Sequence, residues 1–273
     1  MHGARGLHPG RRRGAAADLT AAAVPVSADP LQLAAIAAIF VLAGWVKGVV
    51  GLGLPTVAVA LLTLTIGLQD AMALMLVPSF VTNVWQALAG GRLGAILVRF
   101  WSLLAAVCLG VWLGTAVLVS ADPRLLTGAL GVLLAAYAAW GLIAPKVPSP
   151  AHHHCWLAPL IGLGNGIVTG LTGTFVVPAG IYFQALGLNR DMLVQTMGVL
   201  FCVSTAALGA AMAGRGMMTA DLGLTSLAGL APALAGMWLG ARVRRRLDEA
   251  TFRRVFLLAL LLLGLWLAGR AFT

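Results

Sequence analysis

Long apolar runs follow one another along almost the whole chain, from residue 31 to residue 268, with only short polar breaks between them. A run of about 18 or more such residues is long enough to cross the hydrocarbon of a bilayer as a helix. Hydrophobic residues make up 60% of the chain and charged residues 10%, which leaves little sequence for a water-soluble domain. We therefore expect an all-α integral membrane protein whose main partner is the lipid bilayer.

The chain divides into four parts. Residues 1–30 are polar, with three consecutive arginines among Gly, Ala and Pro, and are predicted to be a disordered tail. Residues 145–155 are rich in proline and histidine and are predicted to be a linker. The linker separates a first membrane repeat, residues 31–144, from a second membrane repeat, residues 156–270.

An internal duplication supports this division. Several residues of the first half recur at one constant spacing in the second half, which is unlikely to arise by chance even in a Leu-rich chain. Gly110, Trp112, Leu113, Gly114, Asp122 and Trp140 recur as Gly236, Trp238, Leu239, Gly240, Asp248 and Trp266. The two halves are therefore expected to be homologous.

Each half begins with an apolar segment that glycines and prolines interrupt, residues 31–66 and 156–186. The first of these is too long for one straight span and too short for two. We expect a broken or re-entrant helical segment in each half, followed by three ordinary transmembrane helices. These are placed at about 71–89, 98–119 and 125–144, and at about 192–212, 222–241 and 252–269. Gly131 lies in such an ordinary span and is expected to tolerate alanine.

The arginines predict how the halves are oriented. Basic loops stay on the cytoplasmic side of a membrane. The loop after Gly240 contains six arginines, whereas the matching loop around Asp122 contains one: Arg242, Arg244, Arg245, Arg246, Arg253 and Arg254, against Arg124. Matching loops would then face opposite sides, which is typical of an inverted repeat. A parallel repeat with four spans in each half remains an alternative.

The two glycine-rich breaks are the candidate substrate site. A helix that restarts within the membrane points free N–H groups and the positive end of its dipole at the break, which suits an anion. The segments 51–55 and 170–174 are taken as equivalent, with a helix restarting in each. Lys47 is the leading charged candidate, because it is the only basic residue well inside a long apolar run. The substrate-binding candidates are Lys47, Gly51, Gly53, Thr56, Asn83, Gln86, Asn165, Gly170, Thr172, Gly173, Thr174 and Gln195.

Each candidate has a structural alternative. The glycines could allow close helix packing, the amide side chains could hold helices together, and Lys47 could extend its ammonium group to the membrane surface. Neither a metal nor a cofactor is expected, because the run 152–154 of three histidines lies in the linker without other ligands. The formal charge of +10 is attributed to membrane orientation and not to nucleic acid.

These residues resemble the TauE/SafE sulfite exporter family. The resemblance rests on the segment 48–55 with the following Gly67 to Asp70, Pro78 and Asn83, and on their counterparts 166–178, 187–191 and Gln195. It covers about residues 33–270 and implies a carrier of sulfite, sulfoacetate or related sulfur-containing anions in the bacterial inner membrane. By the resemblance, the two breaks would be the functional centre.

A secondary transporter of a small anion is therefore the expected function, in a multi-pass protein of the cell membrane, and the sequence allows a homo-oligomer. A passive anion channel shares the broken helices and remains an alternative. A membrane-embedded enzyme is a weaker one, since paired histidines or carboxylates are missing from the apolar runs.

Overall fold

The computed structural model describes residues 29–51, 53–143, 154–246 and 248–271. Most of the predicted tail and of the predicted linker, including two of the three consecutive histidines, lies outside the described residues. So do the side chains of residues 154, 155, 245 and 249. Within the described residues the chain is helical and contains no strand.

Twelve α-helices form the described part of the chain. The first half contains α1 Pro30–Val50, α2 Leu54–Ile66, α3 Leu68–Leu74, α4 Leu76–Leu88, α5 Leu93–Ser120 and α6 Pro123–Ile143. The second half contains α7 His154–Thr172, α8 Ala179–Ala185, α9 Arg190–Gly214, α10 Ala220–Ala228, α11 Leu230–Val243 and α12 Glu249–Arg270, with a short 3-10 turn at Arg244–Arg246. Six helical segments of this part are long and apolar enough to cross a membrane, and the bent pair α3 and α4 makes a seventh candidate. The prediction of an all-α, multi-pass membrane protein is confirmed.

Two parallel helix pairs are held together by glycines of the repeat. Helix α5 packs on α7, where Gly114 lies against Gly170, and α11 packs on α1, where Gly240 lies against Gly48. A Cβ atom on Gly240 would lie 2.2 Å from the carbonyl oxygen of Trp45, so a larger residue would separate the helices. Small residues allow this close approach of backbones in a membrane.

Two further helix pairs are antiparallel. In the pair of α6 and α12, Gly128 lies against Ala271 near one end and Gly141 lies against Leu257 near the other. Helices α4 and α9 pair in the same sense, since Leu76 contacts Gly209 and Gly90 contacts Gln195. The beginnings of α6 and α12 therefore lie at opposite ends of their pair.

The two aspartates of the repeat, Asp122 and Asp248, lie directly before α6 and α12. Asp122 accepts a hydrogen bond from the N–H of Arg124 at 2.8 Å, and Asp248 accepts one from the N–H of Thr251 at 3.0 Å. A side-chain oxygen in this place satisfies an N–H group that the first helical turn leaves free. The hydroxyl and backbone N–H of Thr251 also hold the pKa of the Asp248 carboxyl below its usual range. The recurrence of aspartate is thus explained by helix capping.

The expectation that residues 71–89 form one ordinary span is wrong. The segment is bent by 45° between α3 and α4. Pro78 has no N–H group to donate to the carbonyl of Leu74, one turn earlier. The hydroxyl of Ser226 donates to that carbonyl at 2.7 Å and accepts from the N–H of Val77 at 3.1 Å. A residue of α10 therefore satisfies the backbone groups that the bend exposes.

The expectation for Gly131 is also wrong. A Cβ atom at Gly131 would lie 2.4 Å from the backbone nitrogen of Ala268 and 2.6 Å from the carbonyl oxygen of Gly264. We predict that Gly131→Ala forces α6 and α12 apart and destabilises the protein by about 1–3 kcal/mol. The measurement is the melting temperature in detergent, with Gly223→Ala as control, since a Cβ atom at Gly223 meets nothing within 4 Å. Equal melting temperatures for the two variants would contradict this packing.

Candidate functional site

The first break lies between α1 and α2. Helix α1 ends at Gly51, whose φ of 84° is left-handed and whose N–H donates to the carbonyl of Lys47, and α2 begins after Gly53, with a φ of 107°. Glycine adopts such angles without steric cost. Helix α2 then returns along α1, because Val57 borders the same apolar groove as Val46, and Leu61 the same groove as Leu42. The first break is therefore the turn of a helical hairpin.

The second break differs from the prediction. Helix α7 ends at Thr172, and Gly173 follows with a left-handed φ of 68° and an N–H that donates to Thr169 at 2.8 Å. Residues 173–178 are not helical, and α8 begins only at Ala179. The expectation that a helix restarts at Thr172, Gly173 and Thr174 is wrong. These residues end one helix because a left-handed glycine terminates it, as Gly51 terminates α1.

Packing also shifts the alignment of the two breaks. Gly48 lies against Met237 of α11, and Gly170 lies against Val111 of α5, which is the repeat counterpart of Met237. Gly48 therefore matches Gly170, and Gly51, three residues later, matches Gly173. The expected equivalence of segment 51–55 with segment 170–174 is therefore wrong by three residues, because Gly51 corresponds to Gly173 and not to Gly170. The feature that the two breaks share is a helix that ends at a glycine with a left-handed φ.

Lys47 is buried in the last turn of α1, with 4% of its surface exposed. Its ammonium group donates to the hydroxyl of Thr82 at 3.1 Å and to the side-chain carbonyl of Asn83. Asn83 stands midway between Leu76 and Gly90, the two ends of the contact between α4 and α9. The side chain of Lys47 is thus directed at the middle of a helix pair, and the alternative that it extends to the membrane surface is wrong.

The neighbourhood of Lys47 offers unused hydrogen-bond donors. An ammonium group has three N–H donors, of which two serve Thr82 and Asn83. The Nδ2 group of Asn83 is buried and has no partner among the described residues. No carboxylate of the described part of the chain pairs with Lys47. A positive charge surrounded by neutral groups, with donors to spare, is suited to binding an anion.

Threonines from both breaks meet at one small cavity. Thr56 of α2 and Thr174 of the second break line it together with Tyr137 of α6, and its volume is about 10 Å³. That is close to the space one water molecule needs. The two breaks therefore adjoin each other in the fold, in a conformation with no room at this point for a polyatomic anion.

Three polar candidates, Asn165, Thr172 and Thr174, make hydrogen bonds that stabilise the backbone of the second break. The amide oxygen of Asn165 accepts from the N–H of Ala179 at 3.1 Å, and its Nδ2 group has no described partner. The hydroxyls of Thr172 and Thr174 lie 2.8 Å apart. Thr169 adds a hydrogen bond to the carbonyl of Thr174 at 2.9 Å. These side chains fix the backbone of residues 173–178 without adding a charge.

Three candidates instead occupy helix contacts. Gln86 donates to the carbonyl of Val194 and Gln195 donates to the carbonyl of Ala87, both at 2.8 Å, so these amides connect α4 with α9. A Cβ atom at Gly170 would lie 2.5 Å from the carbonyl oxygen of Val111. For these three residues the contacts agree with the structural alternative, which is helix packing.

Two buried hydroxyls on α9 are not among the substrate-binding candidates that the sequence predicts. They belong to Thr196, the neighbour of Gln195, and to Ser204. Both hydroxyls are buried without a partner among the described residues. The signal was present for Ser204, since the pair Ser204 and Thr205 interrupts an otherwise apolar stretch of a span.

A bundle of membrane-spanning helices with a buried cation and two helix breaks defines the class as a polytopic membrane protein with an internal polar site. Residues 36–267 match the family described as sulfite exporter TauE/SafE. The chain belongs to this family, which is one of transporters, and membership implies membrane export of sulfite or a related anion. No curated protein and no solved structure matches the chain significantly.

Proposed function

We propose that this protein is a secondary transporter that carries sulfite, a sulfonate or a related sulfur-containing anion across the cell membrane. The observation that supports it most is Lys47, a buried cation whose described partners are neutral. A charge in this environment is costly unless it has a ligand or a function. An anion beside Lys47 would offset that cost.

The site is built around Lys47 and Asn83. The third N–H of the ammonium and the free Nδ2 group of Asn83 donate to oxygens of the anion. The first turn of α2, with Thr56, adds the free N–H groups of a helix beginning. Gly51 and Gly53 have the left-handed angles with which α1 ends, shortly after Lys47, and α2 begins. Thr174 of the second break borders the same small cavity as Thr56 and contributes the second half's side of the proposed site.

We further propose that the halves, residues 31–144 and 156–270, form an inverted repeat. The repeat matches α6 with α12, and these helices are antiparallel. It also matches α5 with α11, and each packs in parallel on the first helix of the other half. A two-fold axis in the membrane plane produces this arrangement, in which matching helices run in opposite directions. The excess of arginine after Gly240 agrees with it.

The inverted repeat predicts opposite sides for the two capping aspartates. Cys108, Cys155 and Cys202 are first replaced by alanine, and single cysteines are then placed at Asp122 or at Asp248. A membrane-impermeant maleimide should label the two positions from opposite faces of sealed vesicles. Labelling of both from the same face would support a parallel repeat instead.

Uptake by reconstituted protein tests the proposed function. Proteoliposomes that contain the protein should accumulate sulfite or a sulfonate, with a rate that saturates as the anion concentration rises. An excess of unlabelled anion on the opposite side should accelerate the flux, which is typical of a carrier. A rate that stays linear, without counter-transport, would favour a passive channel. Proteoliposomes that take up none of sulfite, thiosulfate and sulfoacetate would contradict the proposal.

A further inference from the structure

The proposed site contains a single full charge. Lys47 is the only charged side chain in the described part of the chain that is buried. The groups that accept its hydrogen bonds, the Thr82 hydroxyl and the Asn83 carbonyl, are neutral. The polar side chains of the second break, Asn165, Thr172 and Thr174, are neutral as well. The side chains therefore contribute one positive charge.

The backbone at the first break adds little to this charge. A helix carries a partial negative charge at its C-terminal end and a partial positive charge of similar size at its N-terminal end. Helix α1 ends and α2 begins within residues 51–53, so the two partial charges lie next to each other. They offset each other at a distance, although the N–H groups of α2 still direct hydrogen bonds. The positive charge of Lys47 remains uncompensated.

From this balance of charge we infer that the protein binds and carries its substrate as a monoanion. A sulfonate with a single charge, or hydrogen sulfite, neutralises Lys47, and the occupied site is then neutral. Sulfate or fully deprotonated sulfite would leave one negative charge without a partner, in a region from which water is largely excluded. This inference rests on the proposed function and specifies the charge of its substrate.

Competition between anions of similar shape tests the inference. Sulfate, methanesulfonate and sulfamate are all tetrahedral at sulfur, but at neutral pH sulfate has two charges and the others have one. Uptake of labelled sulfite into proteoliposomes is measured at constant ionic strength and pH with each as competitor. We expect methanesulfonate and sulfamate to inhibit by half at concentrations roughly tenfold or more below that of sulfate.

Sulfamate distinguishes selection by charge from selection by polarity. It has the same single charge as methanesulfonate, but a polar amino group replaces the methyl group. If sulfamate inhibits as weakly as sulfate, the site selects an apolar group and the inference is overturned. Inhibition by sulfate that equals or exceeds that of both monoanions also overturns it, although sulfite uptake itself would keep the proposed function intact. Uptake of thiosulfate or sulfoacetate, which have two charges at neutral pH, without uptake of sulfite would keep the proposed function and overturn the inference. Uptake of none of the three anions would remove the proposed function and the inference together.

Discussion

Replacing Lys47 with methionine should lower the rate of sulfite uptake by roughly 10- to 100-fold at subsaturating sulfite. This range corresponds to the loss of a hydrogen bond from a charged donor, about 1.5–3 kcal/mol. Methionine retains much of the length of the lysine side chain, so packing in the last turn of α1 should change little. The measurement is initial uptake into proteoliposomes at matched protein content.

The stability of Lys47→Met should change in the opposite direction. Lys47 is buried without an ion pair among the described residues, so removing its charge makes the span more apolar. We expect a melting temperature in detergent equal to or above that of the parent. Arg124→Met is the matched control, because it removes an exposed positive charge at the beginning of α6. Unchanged uptake by Lys47→Met would exclude Lys47 from the site.

Valine at Gly53 or at Gly173 should abolish transport. A β-branched residue at a left-handed φ is strained by about 1–3 kcal/mol, so the backbone would leave these angles. At Gly53 the φ is 107° and a Cβ atom would have space, with Val46 Cγ1 the nearest atom at 3.7 Å. At Gly173 the φ is 68° and a Cβ atom would also lie 2.8 Å from the Met72 Cγ atom. Gly53→Val is therefore the cleaner test.

Two control variants distinguish the effects of backbone strain and of side-chain volume from an effect on the substrate site. Gly216 has a left-handed φ of 71° and open space around it, so Gly216→Val introduces similar strain in a loop between α9 and α10. Gly223→Val adds the same side chain within α10, where a Cβ atom meets nothing within 4 Å. Both should transport normally. The comparison is valid for variants that remain monodisperse and whose melting temperature is close to that of the parent. Under that condition, normal sulfite flux in both Gly53→Val and Gly173→Val would falsify the role of the breaks.

Much of the candidate site could be predicted from sequence because its signals are local. Lysine within a long apolar run is costly, which singles out Lys47 without any knowledge of its neighbours. Glycine followed by proline after an apolar run ends one helix and begins another, which places the first break at residues 51–55. The second break carried the same signal at Gly173, but the helix restarts later, because residues 173–178 are ordered by Asn165 and Thr169 from the preceding helix.

Hydropathy and backbone freedom depend on neighbouring residues alone, so the amino-acid sequence was enough to predict that this protein lies in a membrane, that the chain breaks near Gly51 and Gly173, and that the charge of Lys47 is exceptional. The contacts of those residues follow only from the folded structure. In the fold, Lys47 donates a hydrogen bond to Asn83, and Gln86 and Gln195 connect α4 with α9. Gly131 lies where the Cβ atom of alanine does not fit. Such contacts join segments far apart in the chain, and in an apolar sequence many pairings satisfy the same pattern. Close packing selects one of them.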